Sequence, residues 1–528
     1  MQKYILVADK IAASGIEYLK QQQGFVVDHV TGLDEAGLCE IIGKYHAVLV
    51  RSAVQITGKI IDAAQKLQVI GRAGIGVDNI DVERATEKGI AVLNTPNANA
   101  ITTAELTVAH LLSLSRNLPQ ADRSVKEGRW ERSSFMGAEL ANKQLGIYGY
   151  GNIGRIVASR AKGLGMQIAA YDPYVNEEVF TEDGVAYMEL EELVSTSDYF
   201  TFHCPLNEKT RGVLNADRIA RMKKGARVIN CARGGLVDEN ALYEALKSGH
   251  LAGAALDVFE HEPPTGSPLL TLDNIVLTPH LGASTQEAQT TAGSEIARQV
   301  AVYLQTGEPI NAINLPPVSA DELVKVKPYL SLAYRLGKLL GPMIEGPVKN
   351  LEVSLCGDAA DRDVNSVSTE GLVGFLSTYM SAPVNRVNAG HIARQKGISV
   401  SQSTCRDHPD YRGTIKLIAT HGKKTTAVEG TLFDRSHPRL VKINDYEIEA
   451  ALRGHLLITR HKDQPGVVAA ISKILADDQI NISRMQLGGM NGSERAVAVL
   501  EISRPLDTQQ MKKIEAIDSI TKLMQVSL

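Results

Sequence analysis

A glycine run lying between an apolar stretch and a helical one limits this chain more than any other feature. LGIY at 145–148 reads as a strand, Gly149-Tyr150-Gly151-Asn152-Ile153-Gly154 follows it, and RIVASRAKGLG continues with helical spacing. Glycines at 149, 151 and 154 permit a tight turn, close approach of backbone to a pyrophosphate, and tight packing of helix on strand. The helix start then offers free N–H groups and a positive dipole end to that anion. Asp172 closes the next apolar run, MQIAAYD, 23 residues after Gly149. A carboxylate at that point accepts hydrogen bonds from ribose hydroxyls and repels a 2′-phosphate, so the pattern predicts a site for NAD in preference to NADP. Without this strand and helix, the same glycines would mark only a turn.

The flanking sequence repeats the theme. YILVAD (4–9), AVLVR (47–51), LQVIGRA (67–73) and GIAVLNT (89–95) are buried-strand runs, with helical segments such as GKIIDAAQK and VERATEKG between them. After a long helical stretch, AITTAELTVAHLLSLSRNL, a second series follows: KQLGIYGYGNIG, MQIAAYD, YFTFHCPL, ARVINCARGG, AGAALDVF and IVLTPHLG. Such alternation predicts an α/β fold with two parallel sheets, each covered by helices. The texture changes from about residue 317, past the proline-containing boundary INLPPVSADE. LEVSLCG, TIKLIAT, AVEGTLF, LVKIND and YEIEAAL are strand-like and carry no chemical motif. The last 75 residues run β-α-β-β-α-β, the ferredoxin-like order.

Composition narrows the partners. The 528 residues are 44% apolar and 22% charged, suited to three or four globular domains. Lys and Arg total 56 against 60 Asp and Glu, a net charge of −4, so there is no cationic surplus for nucleic acid. Cys39, Cys204, Cys231, Cys356 and Cys405 lie far apart, odd in number and without a C-x-x-C pair. That spacing argues against a disulfide scaffold or zinc site and for a reducing compartment. The first ten residues are too briefly apolar for a signal peptide, and no run approaches the roughly 18 apolar residues of a membrane span. A cytoplasmic protein without membrane partner is expected.

Three ionisable residues fall at predicted strand ends of the second series: Arg233 in INCARGGLVDE, Glu262 in LDVFEHEPP and His280 in VLTPHLGAS. Open α/β sheets place their ligand crevice at such ends. Taken singly, each is more often a solvated charge or a satisfied histidine. Beside a nicotinamide they form a set. Oxidising a secondary alcohol needs a base for the hydroxyl proton, which histidine supplies near neutral pH. A carboxylate neighbour fixes its tautomer and raises its pKa. Arginine grips a substrate carboxylate bidentately and polarises the adjacent oxygen.

With GYGNIG upstream, NCARGGLVDE, ALDVFEHEPP and TPHLGAS resemble the D-2-hydroxyacid dehydrogenase family over essentially the whole chain. RAGIGVDN (72–79) and NTPNANAITTAE (94–105) resemble its substrate loops. The resemblance implies catalytic roles for Arg233, His280 and Glu262, the carboxylate directly before Pro263, in preference to Glu260. It implies NAD contacts at Ile75, Gly149, Gly151, Asn152, Ile153, Gly154, Asp172, Cys204, Pro205, Thr210, Cys231, Ala232, Arg233, Asp257, His280, Leu281, Gly282 and Ala283. Ile75 stands where relatives often have Thr, so only backbone contact remains there. Substrate contacts fall on Arg51, Ser52, Arg72, Gly74 and Asn97, with Arg132 reaching a neighbouring subunit. These cations suit a phosphorylated 2-hydroxy acid.

The implied activity is NAD-dependent oxidation of 3-phospho-D-glycerate to 3-phosphooxypyruvate, the first step of L-serine biosynthesis, with reduction of 2-oxoglutarate as a side reaction. Rival readings are a glyoxylate/hydroxypyruvate reductase and a non-enzymatic NAD-sensing corepressor of the same fold. The family's architecture implies two Rossmann-like lobes. One is a discontinuous substrate domain (1–98 with 285–312) and the other an NAD-binding domain (99–284). An α+β intervening domain (313–451) and a ferredoxin-like ACT domain (452–528) follow. In the ACT unit His461, Asp463, Gly466 and Asn481 would hold an effector, L-serine, while Lys442 and Arg453 are candidates for an anion in the intervening domain. A homotetramer is expected.

Overall fold

The N-terminal apolar runs form a five-stranded parallel sheet of β1 (Lys3–Val7), β2 (Phe25–His29), β3 (Ala47–Val50), β4 (Val69–Arg72) and β5 (Ala91–Leu93), in the order β2-β1-β3-β4-β5. The structure is a computed structural model and describes residues 2–316, 320–489 and 494–528. Helices cover both faces of this sheet, so β3, β4 and β5 are almost wholly buried and read as continuous apolar runs. The edge strand β2, FVVDH, is only half-buried and mixes polar residues in, which is why sequence patterning missed it. The order reverses between β1 and β3, opening a crevice beyond their C-terminal ends. The helix Gln286–Thr306 returns to this sheet from far along the chain: Ile296, Ala297 and Val300 share a core with Ile5, Leu49 and Val69.

A second parallel sheet contains β6 (Gln144–Tyr148), β7 (Gln167–Tyr171), β8 (Ala186–Tyr187), β9 (Tyr199–Phe202), β10 (Arg227–Asn230), β11 (Gly253–Leu256) and β12 (Ile275–Leu277). Its order is β12-β11-β10-β9-β6-β7-β8, with the switch point between β6 and β9. The helix Ala100–Arg116 lays Ala104, Leu111 and Leu114 against Ile147, Ile229 and Ala255 of this sheet. It stops at Asn117, which takes a left-handed φ of 50° before a proline-led second helix, Leu118–Lys126.

The third sheet orders β13 (Val348–Gly357), β14 (Ser399–Cys405), β15 (Gly413–His421), β16 (Lys424–Phe433), β17 (His437–Ile443) and β18 (Tyr446–Ala451) as β14-β13-β15-β16-β17-β18. The edge strand β14, SVSQSTC, is mostly exposed and was not legible as a strand. It also overturns the expectation drawn from the cysteines. Cys356 and Cys405 are register partners on β13 and β14, with Cα atoms 4.6 Å apart, and are joined as a disulfide. Their separation of 49 residues hid a pairing that only strand register creates. The inference of a reducing compartment loses that support, although Cys39, Cys204 and Cys231 are free.

The fourth sheet, β19 (His455–Lys462), β20 (Ile482–Gly489), β21 (Arg495–Ile502) and β22 (Ile520–Ser527), is antiparallel in the order β20-β21-β19-β22. Helices Val467–Asp477 and Thr508–Glu515 complete the β-α-β-β-α-β unit. These helices cover one face; on the other, Ile458, Val499 and Met524 join Leu336, Leu340 and Leu440 in a core shared with the third sheet. The boundary expected at 313–322 lies partly outside the described residues. Among those described, no helix is long and apolar enough to cross a membrane.

Candidate active site

Arg233, Glu262 and His280 leave the C-terminal ends of the adjacent strands β10, β11 and β12. Asn230 fixes the first loop: its side chain accepts from the Ala232 N–H (3.0 Å) and donates to the Arg233 carbonyl (2.8 Å). Glu262 Oε1 accepts from the Phe259 N–H at 3.1 Å, which folds the second loop back on itself. His280 takes a φ of 56° that few non-glycine residues adopt, and its N–H donates to the Asp257 carbonyl at 2.9 Å. The imidazole Nδ1 lies 2.8 Å from Glu262 Oε2. A carboxylate only accepts, so Nδ1 carries the proton and Nε2 keeps its lone pair. The Glu262 hydrogen bond and charge raise the His280 pKa above its usual value, against an opposing effect of burial. Burial pushes the Glu262 carboxyl up, but hydrogen bonds from His280 and the Phe259 N–H, with the charge of Arg233, hold it below the usual range.

Asp257 was expected at the nicotinamide, and its carboxylate is engaged within the protein. It is fully buried. Oδ1 accepts from the Thr278 hydroxyl (2.6 Å) and the Leu281 N–H (2.7 Å), and Oδ2 from the Gly282 N–H (2.8 Å). It thus holds the His280 loop from behind. His110 reaches the same Thr278 hydroxyl at 3.1 Å, and the Thr103 hydroxyl donates to the Gly282 carbonyl.

The first sheet supplies a facing wall of cations. Asp9, at the end of β1, accepts through Oδ2 from the N–H groups of Arg51 (3.0 Å) and Ala53 (3.1 Å), so it shapes the loop after β3. Asn79 donates to the carbonyls of Arg51 and Val54. Arg51 and Ser52 line a cavity of about 620 Å³ at this sheet's switch point. Arg72 ends β4 with its Nε buried and without an acceptor. Burial, with the charges of Arg233 and Arg51, lowers its pKa to about 10, while Asp78 and Asp9 oppose the shift. A buried guanidinium beside two more is a receptor for an anion. The lobes meet here: Arg233 Nε lies 3.2 Å from Asp78 Oδ2 of the RAGIGVDN loop. A Cβ on Gly76 would fall 2.1 Å from Arg233 Nη2, so a side chain there would push the guanidinium aside. Gly74 sits as tightly against the Arg72 guanidinium.

The glycine turn fits a dinucleotide. Gly149 has a φ of 96° and runs against the His203 carbonyl, while Gly151 faces open space at the start of the helix Asn152–Gly163. That helix has no side-chain cap, which leaves its first N–H groups, Asn152 and Ile153 among them, for an anion. Asp172 accepts from the N–H groups of Tyr150 (2.8 Å) and Tyr174 (2.9 Å), fixing its carboxylate at the lip of the turn. Burial pushes the thiols of Cys204 and Cys231 up to about 12, so they are neutral walls here and not nucleophiles. The Thr210 hydroxyl donates to the Pro205 carbonyl and accepts from the Asn207 N–H, which makes it a brace for its own loop. The Ile75 carbonyl accepts from Asn94. Asn97 Oδ1 accepts from Asn152 Nδ2 at 2.6 Å, bridging the two lobes beside the turn.

Other expected residues lie apart from this cleft. Arg132 stacks over the exposed Trp130, 5.5 Å from its ring centre. In the fourth sheet His461 is buried, with Nδ1 3.1 Å from the Thr459 hydroxyl and the charge of Asp463 near enough to act on its ring. Asp463 and Gly466 are exposed before the helix Val467–Asp477, and Asn481 pairs through its backbone with Ser503. Arg453 is in an ion pair with Glu501 at 3.2 Å. Sequence reasoning assigned no role to Asp9, Asp78, Asn230, Thr278 or His110. Asp9 and Asp78 carried a legible signal, each being a lone carboxylate just past an apolar run.

Fold and cleft together define a class of NAD-dependent dehydrogenases for 2-hydroxy acids. The profile of the D-isomer specific 2-hydroxyacid dehydrogenase NAD binding domain matches residues 108–282. Profiles of the D-3-phosphoglycerate dehydrogenase intervening domain and of an ACT domain like that of the AHAS small subunit match 325–444 and 457–523. Two relatives named D-3-phosphoglycerate dehydrogenase, from Methanocaldococcus jannaschii and Bacillus subtilis, are 41% and 38% identical over 99% of this chain and 99% of their own. The chain belongs to the D-3-phosphoglycerate dehydrogenase family. Among solved structures, the TT0316 protein of Thermus thermophilus superposes with a TM-score of 0.54 at 33% identity, covering 59% of this chain and 99% of that one.

Proposed function

We propose that this chain oxidises 3-phospho-D-glycerate to 3-phosphooxypyruvate, with Arg233, Glu262 and His280 as its catalytic residues. The observation that carries the reading is the meeting of that triad with Arg51 and Arg72 in one cleft. Arg233 binds the substrate carboxylate and polarises the C2 oxygen. His280 Nε2 takes the C2 hydroxyl proton. Glu262 holds the ring in the required tautomer and stabilises the imidazolium that results. NAD, when bound, would supply the acceptor for the C2 hydride. Gly149 to Gly154 and Asp172 hold that cofactor, with the loops 204–210, 231–233 and 280–283 shaping its pocket. Arg51 and Arg72 take the terminal phosphate, with Ser52, Gly74 and Asn97 around it, and Arg132 serves a neighbouring subunit. Closure of the lobes excludes water. A reductase for glyoxylate or hydroxypyruvate would leave the Arg72 guanidinium buried without its anion. The reaction would open L-serine synthesis in the cytoplasm, in a homotetramer with domain limits near 98, 284, 312 and 451, and L-serine binding at His461, Asp463, Gly466 and Asn481 would regulate it.

Turnover of 3-phosphoglycerate with NAD, compared with glycerate at equal ionic strength, tests the reading. Phosphoglycerate should be strongly preferred, and His280→Ala should lose more than about 100-fold in turnover with NAD binding intact. Equal use of glycerate would overturn it.

A further inference from the structure

A cavity of about 690 Å³ lies far from the catalytic cleft, between the third and fourth sheets. The β15–β16 hairpin brings Lys423 and Lys424 to it from one side, and β19 and β22 bring Arg460 and Lys522 from the other. His421 adds an imidazole, and Glu345 is the one carboxylate among the described lining residues. Four permanent cations therefore face a single carboxylate.

The spacing sharpens that imbalance. Arg460 and Lys522 are direct register partners across the β19–β22 pair, so their side chains share one face. Like charges placed directly opposite destabilise a sheet. Lys522 finds relief: its Nζ is 2.9 Å from both Glu345 Oε1 and the Met343 carbonyl. That hydrogen bond, with the nearby charges of Lys522, Lys424 and Arg460, holds the Glu345 carboxyl below its usual range. Arg460 finds none at its Nε, which is buried and meets no acceptor. A planar guanidinium with an idle N–H, flanked by lysines from two domains, matches a tetrahedral oxyanion that offers oxygens in several directions. The cavity also leaves room for an organic group beyond the anion.

We propose that this cleft is a binding site for a small phosphate-bearing anion, gripped by Arg460 with Lys424 and Lys522 beside it, whose occupancy clasps the ACT sheet to the intervening sheet. Either free phosphate or a phosphate monoester meets this chemistry. The site does not depend on the reaction proposed above, since none of its residues lies at the catalytic cleft.

The test titrates the intact chain calorimetrically with inorganic phosphate and with glycerol 3-phosphate, and follows thermal unfolding with both. Arg460→Gln and the paired substitution Lys423→Gln/Lys424→Gln should each weaken one saturable binding step by about tenfold or more. Both should reduce the thermal shift, and turnover measured without phosphate should stay at the parent value. The paired variant sits on an exposed hairpin tip, so it stands if Arg460→Gln fails to fold. A monoester preference would assign the site to a metabolite, and equal affinity to phosphate itself; either supports it. Parent-like binding by the lysine variant, or an equal thermal shift with chloride at matched ionic strength, overturns the proposal.

Discussion

His280 and Glu262 behave as one unit, and their coupling sets a sign that kinetics can read. In the proposed mechanism oxidation requires the neutral imidazole, so the rate should climb as pH rises through the raised His280 pKa. Glu262→Gln removes the charge that raised it, while burial still opposes protonation. The acidic limb of the kcat/KM profile should therefore move to lower pH, with the plateau reduced roughly 10- to 100-fold as the ring loses its orientation. A pH–rate profile of this variant checks both effects; a limb moving to higher pH would contradict the assignment. At this level the sequence was informative, because Arg233, Glu262 and His280 each stand beside Gly or Pro at the end of an apolar run. The orphaned Nε of Arg72 and the Asp78–Arg233 contact were not visible, since each depends on a loop more than a hundred residues away or on burial.

The loop after β12 owes its shape to one buried carboxylate. Asp257 satisfies three donors at once, two of them backbone N–H groups of the segment that presents His280. Asp257→Asn keeps the volume but turns one acceptor into a donor, which must then face another donor. A loss of about 1–3 kcal/mol in stability is expected from such an unmatched buried pair. Turnover should drop while KM for the phosphorylated substrate, which the proposed mechanism places on the other lobe, changes little; denaturant titration and steady-state kinetics measure the two. Strand ends and glycine turns were legible because their signals are local. The edge strands β2 and β14 were not, because half-exposed strands dilute the apolar run that betrays a central one.

Polar contacts link the four sheets, and one of them joins the first lobe to the intervening domain. Asn385 donates to the Gly89 carbonyl at 2.8 Å, while its Oδ1 accepts from the N–H groups of Val387 and Asn388. His391 of the same segment approaches Glu87 at 3.8 Å. Asn385→Ala should weaken this docking by about 1 kcal/mol and separate the calorimetric unfolding into more distinct transitions. Turnover without effectors should be unchanged, since no catalytic group is touched. An unfolding profile unchanged from the parent's would show that the sheets are coupled elsewhere.

Strand and helix alternation, the dinucleotide turn, the three strand-end residues and the β-α-β-β-α-β order were all written in windows of a few residues. Periodicity, glycine spacing and strand-end chemistry act between neighbours along the chain, so the amino-acid order alone carries them. Partners across the fold were decided elsewhere. Cys356 opposite Cys405, Arg460 opposite Lys522, Arg233 against Asp78 and the return of Gln286–Thr306 to the first sheet arise from register and packing between distant segments. A local pattern states that a residue belongs to a strand or a loop, but not which other strand lies beside it. That choice belongs to burial and hydrogen bonding of the whole molecule.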